Sequence, residues 1–353
     1  MKPEIIRVSF PQPSDGHVHL RWDKRFFIAL LHTATHFARA GCMGNTKPPI
    51  TTAELIVKYR EYIDVQAAIM GFHQFEPLLI LYITDETTPE DLAQAQEVGA
   101  IGCKWIPRGR TTGSEFGVTN FRNKSHLFRA AQELNFPCLL HGTLPHDPDK
   151  MSNPMLEEAE FFPTLTWMFK TFPDLRIVYE HVSSKDVAEF IVVANEPRLA
   201  ATITVHHLYT HLGDVISPKL RPHNFCMPIP KAPEDMTYLR SLALSGNPRF
   251  FLGTDSAPHF REKKECDGGD AGVFSAPVAI SMLLDLFCDE NGWKRDHKEP
   301  FVAFTSGNFA DYYGLPEITE MATYEREPWI TPAEYDGIVP FYANQPQNWQ
   351  LAA

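Results

Sequence analysis

Two histidines two residues apart, in Asp15-Gly16-His17-Val18-His19-Leu20, are the first side chains along this sequence that are suited to chemistry. Imidazole is both the commonest metal ligand and the acid or base that works near neutral pH. On an extended strand a spacing of two puts both rings on one face, with Val18 and Leu20 on the other. Alone, His-x-His is a weak signal and equally describes a half-exposed strand end. Three more apolar runs close on a metal-binding residue type: Leu139-Leu140-His141, Val178-Tyr179-Glu180-His181 and Leu252-Gly253-Thr254-Asp255. Each has an ordinary explanation by itself, a histidine bonded to backbone or an aspartate capping a helix. Four histidines and a carboxylate at coincident strand ends are better explained as a metal site. Lys104 ends a further run, Ala100-Ile101-Gly102-Cys103-Lys104. Its ammonium carries donors only and cannot ligate a metal, and its stem ordinarily snorkels to water. If the amine captures carbon dioxide, the resulting carbamate is an anion with two oxygens able to bridge two cations.

Such residues work together only if the fold brings strand ends to one place. Eight runs read as strands: Gly16–Leu20, Ala40–Asn45, Glu76–Ile83, Ala100–Ile106, Phe136–His141, Leu175–His181, Ala200–Thr204 and Phe250–Asp255. Helical periodicity fills the spaces between them, over about 24–39, 51–64, 153–171, 233–245 and 273–290. In Thr88-Pro89-Glu90-Asp91 a threonine cap precedes proline at the first helical position, Leu92, Ala95 and Val98 share a face, and Gly99 ends the helix. Leu127, Phe128, Ala131 and Leu134 make a similar stripe, and Ser183-x-x-Asp186 predicts a cap for a helix burying Val187, Phe190 and Ile191. Eight strand–helix units predict an α/β fold, a (β/α)8 TIM barrel, in which every strand points its carboxyl end at the same rim. A doubly wound open sheet is the alternative, but no glycine fingerprint follows the first strand. One more helix is expected near 298–312. The tail, about 316–353, is expected to pack on the barrel as a C-terminal extension, making 1–353 a single domain.

The 353 residues exceed the usual ~150 per domain, as barrels routinely do. A 44% hydrophobic and 22% charged composition excludes disordered and fibrous architectures. The formal charge of −12 argues against general attraction to nucleic acid or anionic membrane, so an anionic ligand needs a local positive site. No apolar run reaches the ~18 residues of a membrane span, and Met1-Lys2-Pro3-Glu4 lacks a signal-peptide core. Six scattered cysteines without a Cys-x-x-Cys pair read as reduced thiols. A cytoplasmic location is expected.

Taken in order, Asp15-Gly16-His17-Val18-His19-Leu20-Arg21, Asn45 before Pro48-Pro49, Lys104, Leu140-His141-Gly142, Glu180-His181, Arg221-Pro222-His223 and Gly253-Thr254-Asp255-Ser256-Ala257-Pro258-His259 resemble the single-chain bacterial dihydroorotases of the amidohydrolase superfamily. The likeness runs nearly the whole length and is most specific in the last segment. It implies a homodimer whose chains each hold two Zn2+. His17, His19 and Asp255 would hold one ion, His141 and His181 the other, with carbamylated Lys104 (N6-carboxylysine) and a hydroxide bridging them. Asp255 would also carry the proton from the hydroxide to the leaving amide nitrogen, the catalytic role. The implied reaction is closure of N-carbamoyl-L-aspartate to L-dihydroorotate and water, in pyrimidine biosynthesis. Arg21, Asn45 and His259 would bind the substrate carboxylate, and backbone near Met227 and Ala276 its ring. The segment 107–114 resembles a lid whose Thr111 and Thr112 reach the substrate. Its residue types also suit an ordinary solvated turn.

The sequence departs from the family at Gly44-Asn45-Thr46-Lys47, at Met227 where leucine is common, and at Cys266, one cysteine where some relatives cluster several. None of these removes a ligand. Three rival readings fit parts of this pattern: a hydantoinase or allantoinase, a catalytically inactive barrel serving as a binding subunit, and a metal-dependent phosphoesterase. The carboxylate-binding set argues against the first, the complete ligand set against the second, and Lys104 with Asp255 against the third.

Overall fold

A computed structural model describes residues 5–149 and 153–352, so Met1–Glu4 lie outside the described residues. Eight parallel strands run in chain order around one sheet: β1 (Ser14–Val18), β2 (Arg39–Cys42), β3 (Glu76–Ile83), β4 (Gly102–Trp105), β5 (Cys138–Leu140), β6 (Ile177–Tyr179), β7 (Leu199–Ile203) and β8 (Phe250–Leu252). The fold is the (β/α)8 TIM barrel.

Its period-two alternation is visible in β3. Leu78 and Ile80 join Leu139, Val178, Ala200 and Phe251 in an inner cluster, while Leu79, Leu81 and Ile83 join the larger core beneath the helices. Phe309 and Tyr312, from the helix Asn308–Tyr313, close that inner cluster at the amino end of the strands. Helices α1 (Phe26–His36), α2 (Ala53–Ile69), α3 (Pro89–Glu97), α4 (Ser125–Glu133), α5 (Glu157–Thr171), α6 (Lys185–Ala194), α7 (Pro233–Ser245) and α8 (Ala279–Phe287) accompany the strands. The threonine cap of α3 forms as the sequence predicts, and Asp91 completes it as a capping box. Thr88 Oγ1 accepts from Asp91 N–H, and Asp91 accepts from Thr88 N–H at 2.8 Å.

The barrel closes at the site itself. Beyond the ends of β1 and β8, Asp255 N–H donates to His17 O at 2.8 Å and His19 N–H to Ser256 O at 3.1 Å. The buried Asp15 carboxylate clamps the same seam, accepting from Thr254 N–H at 2.8 Å, Thr254 Oγ1 at 2.6 Å and His17 N–H at 3.1 Å. Gly253 lets the strands approach there, since a Cβ would lie 2.7 Å from Thr202 Cβ and 3.0 Å from His17 Cβ.

Three expectations need correction. The helix expected over 273–290 starts only at Ala279, because Val273 bridges Ser256 and accepts from Ala257 N–H at 2.8 Å, extending the rim as irregular chain. Ser183 does not cap α6: the cap position is Ser184, and Ser183 N–H and Oγ both donate to the buried Glu158. Finally, Arg7–Pro11, not expected as a strand, pairs antiparallel with Met321–Glu325, which pairs in turn with Gln350–Leu351. This small sheet ties the C-terminal extension to the barrel, as do Phe341 N–H donating to Phe274 O and the buried Trp349.

Candidate active site

The metal-binding residue types all lie at or just past the carboxyl ends of their strands. His17 is on β1 and His19 one residue beyond it; His141 follows β5, His181 lies two beyond β6 and Asp255 three beyond β8. Simple alternation no longer aims side chains there. His181 (φ 41°), Asp255 (φ 45°) and Arg21 (φ 67°) instead occupy the left-handed region, which non-glycine residues rarely adopt. Backbone strain of this kind concentrates at functional sites.

His17 is fixed from behind. Its Nδ1–H donates to Glu180 Oε2 at 2.6 Å, which also accepts from Thr202 Oγ1 at 2.7 Å. That leaves Nε2 facing the cavity, 3.4 Å from Asp255 Oδ1, while His19 Nε2 is 2.9 Å from the same oxygen. A carboxylate behind a ligating histidine is the usual means of setting its tautomer and orientation. Burial alone would raise the pKa of Asp255, but the imidazoles of His17, His19 and His181 outweigh it and hold the carboxyl well below the usual range. Burial pushes His19 down to about 3, so it is neutral and able to donate a lone pair at physiological pH.

On the other side, His141 Nδ1 and His181 Nε2 are 3.1 Å apart. Two nitrogens sharing a tetrahedral ion with bonds of about 2.05 Å stand about 3.3 Å apart, so the pair already has co-ligand spacing. Burial lowers the pKa of both, that of His141 to about 3. Lys104 lies between the two groups, 1% exposed, its Nζ without a hydrogen-bond partner. Burial brings its pKa down to about 8, against the pull of Glu180 and Asp255. His17 Nε2, His141 Nε2 and His181 Nδ1 are buried without partners too. Unsatisfied buried polar atoms are costly to fold; one cation would take up the lone pair of His17 Nε2, another would be shared by His141 Nδ1 and His181 Nε2, and Lys104 Nζ would join them only as a carbamate.

One cavity gathers His17, His19, Arg21, Asn45, Lys104, Thr111, Thr112, His141, His181, Met227 and Asp255. Arg21 is buried and its Nη2 donates to His259 Nε2 at 3.0 Å; His259 Nδ1 in turn donates to Asp270 Oδ2 at 3.0 Å. Asn45 keeps its Oδ1 unpartnered. Thr112 Oγ1 donates to Ala271 O at 3.2 Å, so the 107–114 loop spans the cavity mouth. His259 stands behind Arg21. Ala276 is not part of the lining, and its N–H donates to Ser256 Oγ at 3.0 Å.

Sequence reasoning missed several contributors. Ile106, Ala257, Ala271 and Gly272 complete the wall, and Glu180, Thr202 and Asp270 orient the groups that face it. Gly272 carried a legible signal as a glycine: its φ is 145°, and a Cβ there would lie 2.8 Å from His259 Nε2.

Imidazoles, a carboxylate and a buried lysine gathered at the carboxyl rim of a (β/α)8 barrel define the amidohydrolase class of enzyme. No family model matches the chain. A curated dihydroorotase of Picosynechococcus sp. is 38% identical over 352 residues, covering 98% of this chain and 99% of the relative. Among solved structures, the dihydroorotase of Saccharomyces cerevisiae in complex with 5-fluoroorotic acid superposes with a TM-score of 0.88 at 30% identity, over 98% of each chain. That of Campylobacter jejuni gives 0.87 at 32% identity, over 100% of this chain and 99% of the other. The chain belongs to the dihydroorotase family and is a cyclic amidohydrolase.

Proposed function

We propose that the chain catalyses the reversible closure of N-carbamoyl-L-aspartate to L-dihydroorotate and water in pyrimidine biosynthesis, with two zinc ions per chain. The observation that carries the metal assignment is the convergence of His17, His19, Lys104, His141 and His181 on one cavity beside Asp255, with His141 Nδ1 and His181 Nε2 at co-ligand spacing. His17, His19 and Asp255 would hold one ion and His141 and His181 the other, with carbamylated Lys104 as the anionic ligand that offsets their charge. When bound, the ions polarise the amide carbonyl and make water a nucleophile near neutral pH.

The chain's own residues do the rest. In ring opening, water attacks the ring carbonyl and the carbon–nitrogen bond breaks. Asp255, held ionised by its imidazole neighbours, takes the proton from the water and gives it to the departing nitrogen. Closure runs the same steps backwards. Arg21 offers its planar fork to the substrate carboxylate with Asn45 beside it, and His259, kept by Asp270 in the tautomer that accepts from Arg21, contributes to carboxylate binding by holding the guanidinium from behind. The backbone of Met227 supports the ring. Ala276, its N–H committed to Ser256, is left its carbonyl as a backbone contact. Thr111 and Thr112 close over the bound substrate from the loop that already reaches Ala271.

Among the described residues no helix is long and apolar enough to cross a membrane, and all six cysteines are free thiols. The free thiols fit the reducing cytoplasm as location, and the homodimer is the assembly that the family resemblance implies. The deciding experiment measures turnover of L-dihydroorotate, hydantoin and allantoin by the purified protein. Dihydroorotate is expected to be preferred by at least about 100-fold, the scale that a buried carboxylate-binding set supplies. Preferred turnover of hydantoin would overturn the assignment.

A further inference from the structure

A second group of metal-binding residue types lies outside the set assigned to catalysis. Just past β7, Thr204 caps the short helix Val205–Tyr209. Its Oγ1 accepts from His207 N–H at 3.0 Å and lies 2.9 Å from His207 Nδ1. His206 and His207 are both buried, with ring centroids 4.7 Å apart. Cys226, also buried, approaches from the segment leading to Met227. Its Sγ is 3.8 Å from His207 Nε2, and the Pro228 carbonyl oxygen lies 3.0 Å from that nitrogen and 3.4 Å from the sulfur. One donor atom from each of His206, His207 and Cys226 falls within 4.8 Å of the others.

His206 makes the group hard to explain as packing. Neither of its ring nitrogens has a hydrogen-bond partner, although the side chain is fully buried. An imidazole taken out of water with both polar atoms unsatisfied is destabilising, and a buried histidine ordinarily finds at least one partner. A cation would satisfy it. For a tetrahedral ion with bonds of about 2.3 Å to sulfur and 2.05 Å to nitrogen, those two ligands stand about 3.6 Å apart, against 3.8 Å here. Without a metal, His207 Nε2–H donates to the Pro228 carbonyl, which can only accept; ligation through Nε2 moves the ring proton to Nδ1, where Thr204 Oγ1 is placed to accept it.

We infer that His206, His207 and Cys226, with the Pro228 carbonyl oxygen as a fourth donor, form a structural site for a thiophilic divalent cation such as Zn2+. Binding forms one metal–sulfur bond and releases the thiol proton to solvent. The sulfur and the Pro228 carbonyl flank Met227, so the ion would pin the backbone that lines the catalytic cavity. This inference does not rest on the proposed substrate, and the ligands assigned to catalysis contain no sulfur, so the two sites can be told apart spectroscopically.

The test uses full-length protein carrying Cys266→Ser, which removes the exposed thiol, reconstituted with Co2+ alone. A near-ultraviolet thiolate-to-cobalt charge-transfer band is expected. Cys226→Ser and His206→Gln should each lose about one equivalent of cobalt, and the band should vanish in the first and fall at least severalfold in the second. His17→Ala should keep it. No sulfur band at saturating cobalt, or an undiminished band in either Cys226→Ser or His206→Gln, would overturn the site. Should Cys226→Ser fail to fold, His206→Gln, which keeps the sulfur, decides alone.

Discussion

The two ends of the barrel are filled differently, one by an aromatic plug and the other by metal-binding side chains. At the amino end Asn308 spends its amide on two carbonyls, Asn247 O at 3.0 Å and Phe250 O at 2.8 Å, under a plug of Phe251, Phe309 and Tyr312. The plug itself is apolar, Phe251 and Phe309 meeting edge to face at 5.5 Å, while the buried Arg39 guanidinium lies over Phe309 and, like the Tyr313 hydroxyl, has one polar atom without a partner. At the carboxyl end Lys104 Nζ, His17 Nε2, His141 Nε2 and His181 Nδ1 are buried without partners, and three residues sit at positive φ. One end therefore stabilises the fold, while the other gives up stability to hold ligands and substrate.

Substitutions at the two ends should separate along that line. The largest effect is expected at Asp255→Asn, which keeps the shape and loses the proton-accepting group. Turnover should fall by about 10³–10⁴-fold, near the upper end for removal of a general acid or base, with thermal unfolding little changed. Near-normal turnover of that variant refutes the role given to Asp255. Next comes Phe309→Ala at the plug, expected to cost about 3–5 kcal/mol of stability in denaturant titration while kcat/KM of the folded fraction stays within about twofold. A loss of activity without loss of stability would erase the contrast between the ends. Arg21→Met should raise KM for dihydroorotate by roughly 10–100-fold, the worth of a charged hydrogen bond of about 1.5–3 kcal/mol, and leave metal content intact. An unchanged KM would free Arg21 from the carboxylate. The smallest effect belongs to Thr111→Val with Thr112→Val. Turnover should drop by about 3–10-fold, the scale of one neutral hydrogen bond, without change in metal content or melting temperature. Kinetics equal to those of the parent would return the loop to an ordinary turn.

The same contrast governs what could be read from sequence. Regular periodicity announced β3 and α3, and the recurrence of histidine or aspartate after apolar runs announced the rim, because those signals are local. The cavity gathers His17, Lys104, His141, His181 and Asp255 as the barrel reading required. Partners chosen by tertiary packing were not legible. Ser183 looked like a cap but bonds to Glu158 across the fold, and Val273 looked helical but bridges Ser256. The pairing of Arg7–Pro11 with Met321–Glu325 joins residues over 300 apart, which no window of sequence contains. Glu180 and Asp270 stood in plain view, yet only the folded chain shows that each holds a histidine.

The central claim is that the imidazoles, Asp255 and Lys104 at the rim are placed to hold divalent cations on which ring opening depends. Its most direct test follows turnover of L-dihydroorotate by parent protein and Lys104→Ala after exhaustive dialysis against a strong chelator, before and after Zn2+ is returned. The parent should lose at least about 100-fold in turnover and regain it with zinc, while Lys104→Ala should stay inactive unless a short carboxylic acid takes the place of the bridge. Undiminished turnover by the chelated parent, or full recovery of Lys104→Ala with zinc alone, would contradict the account.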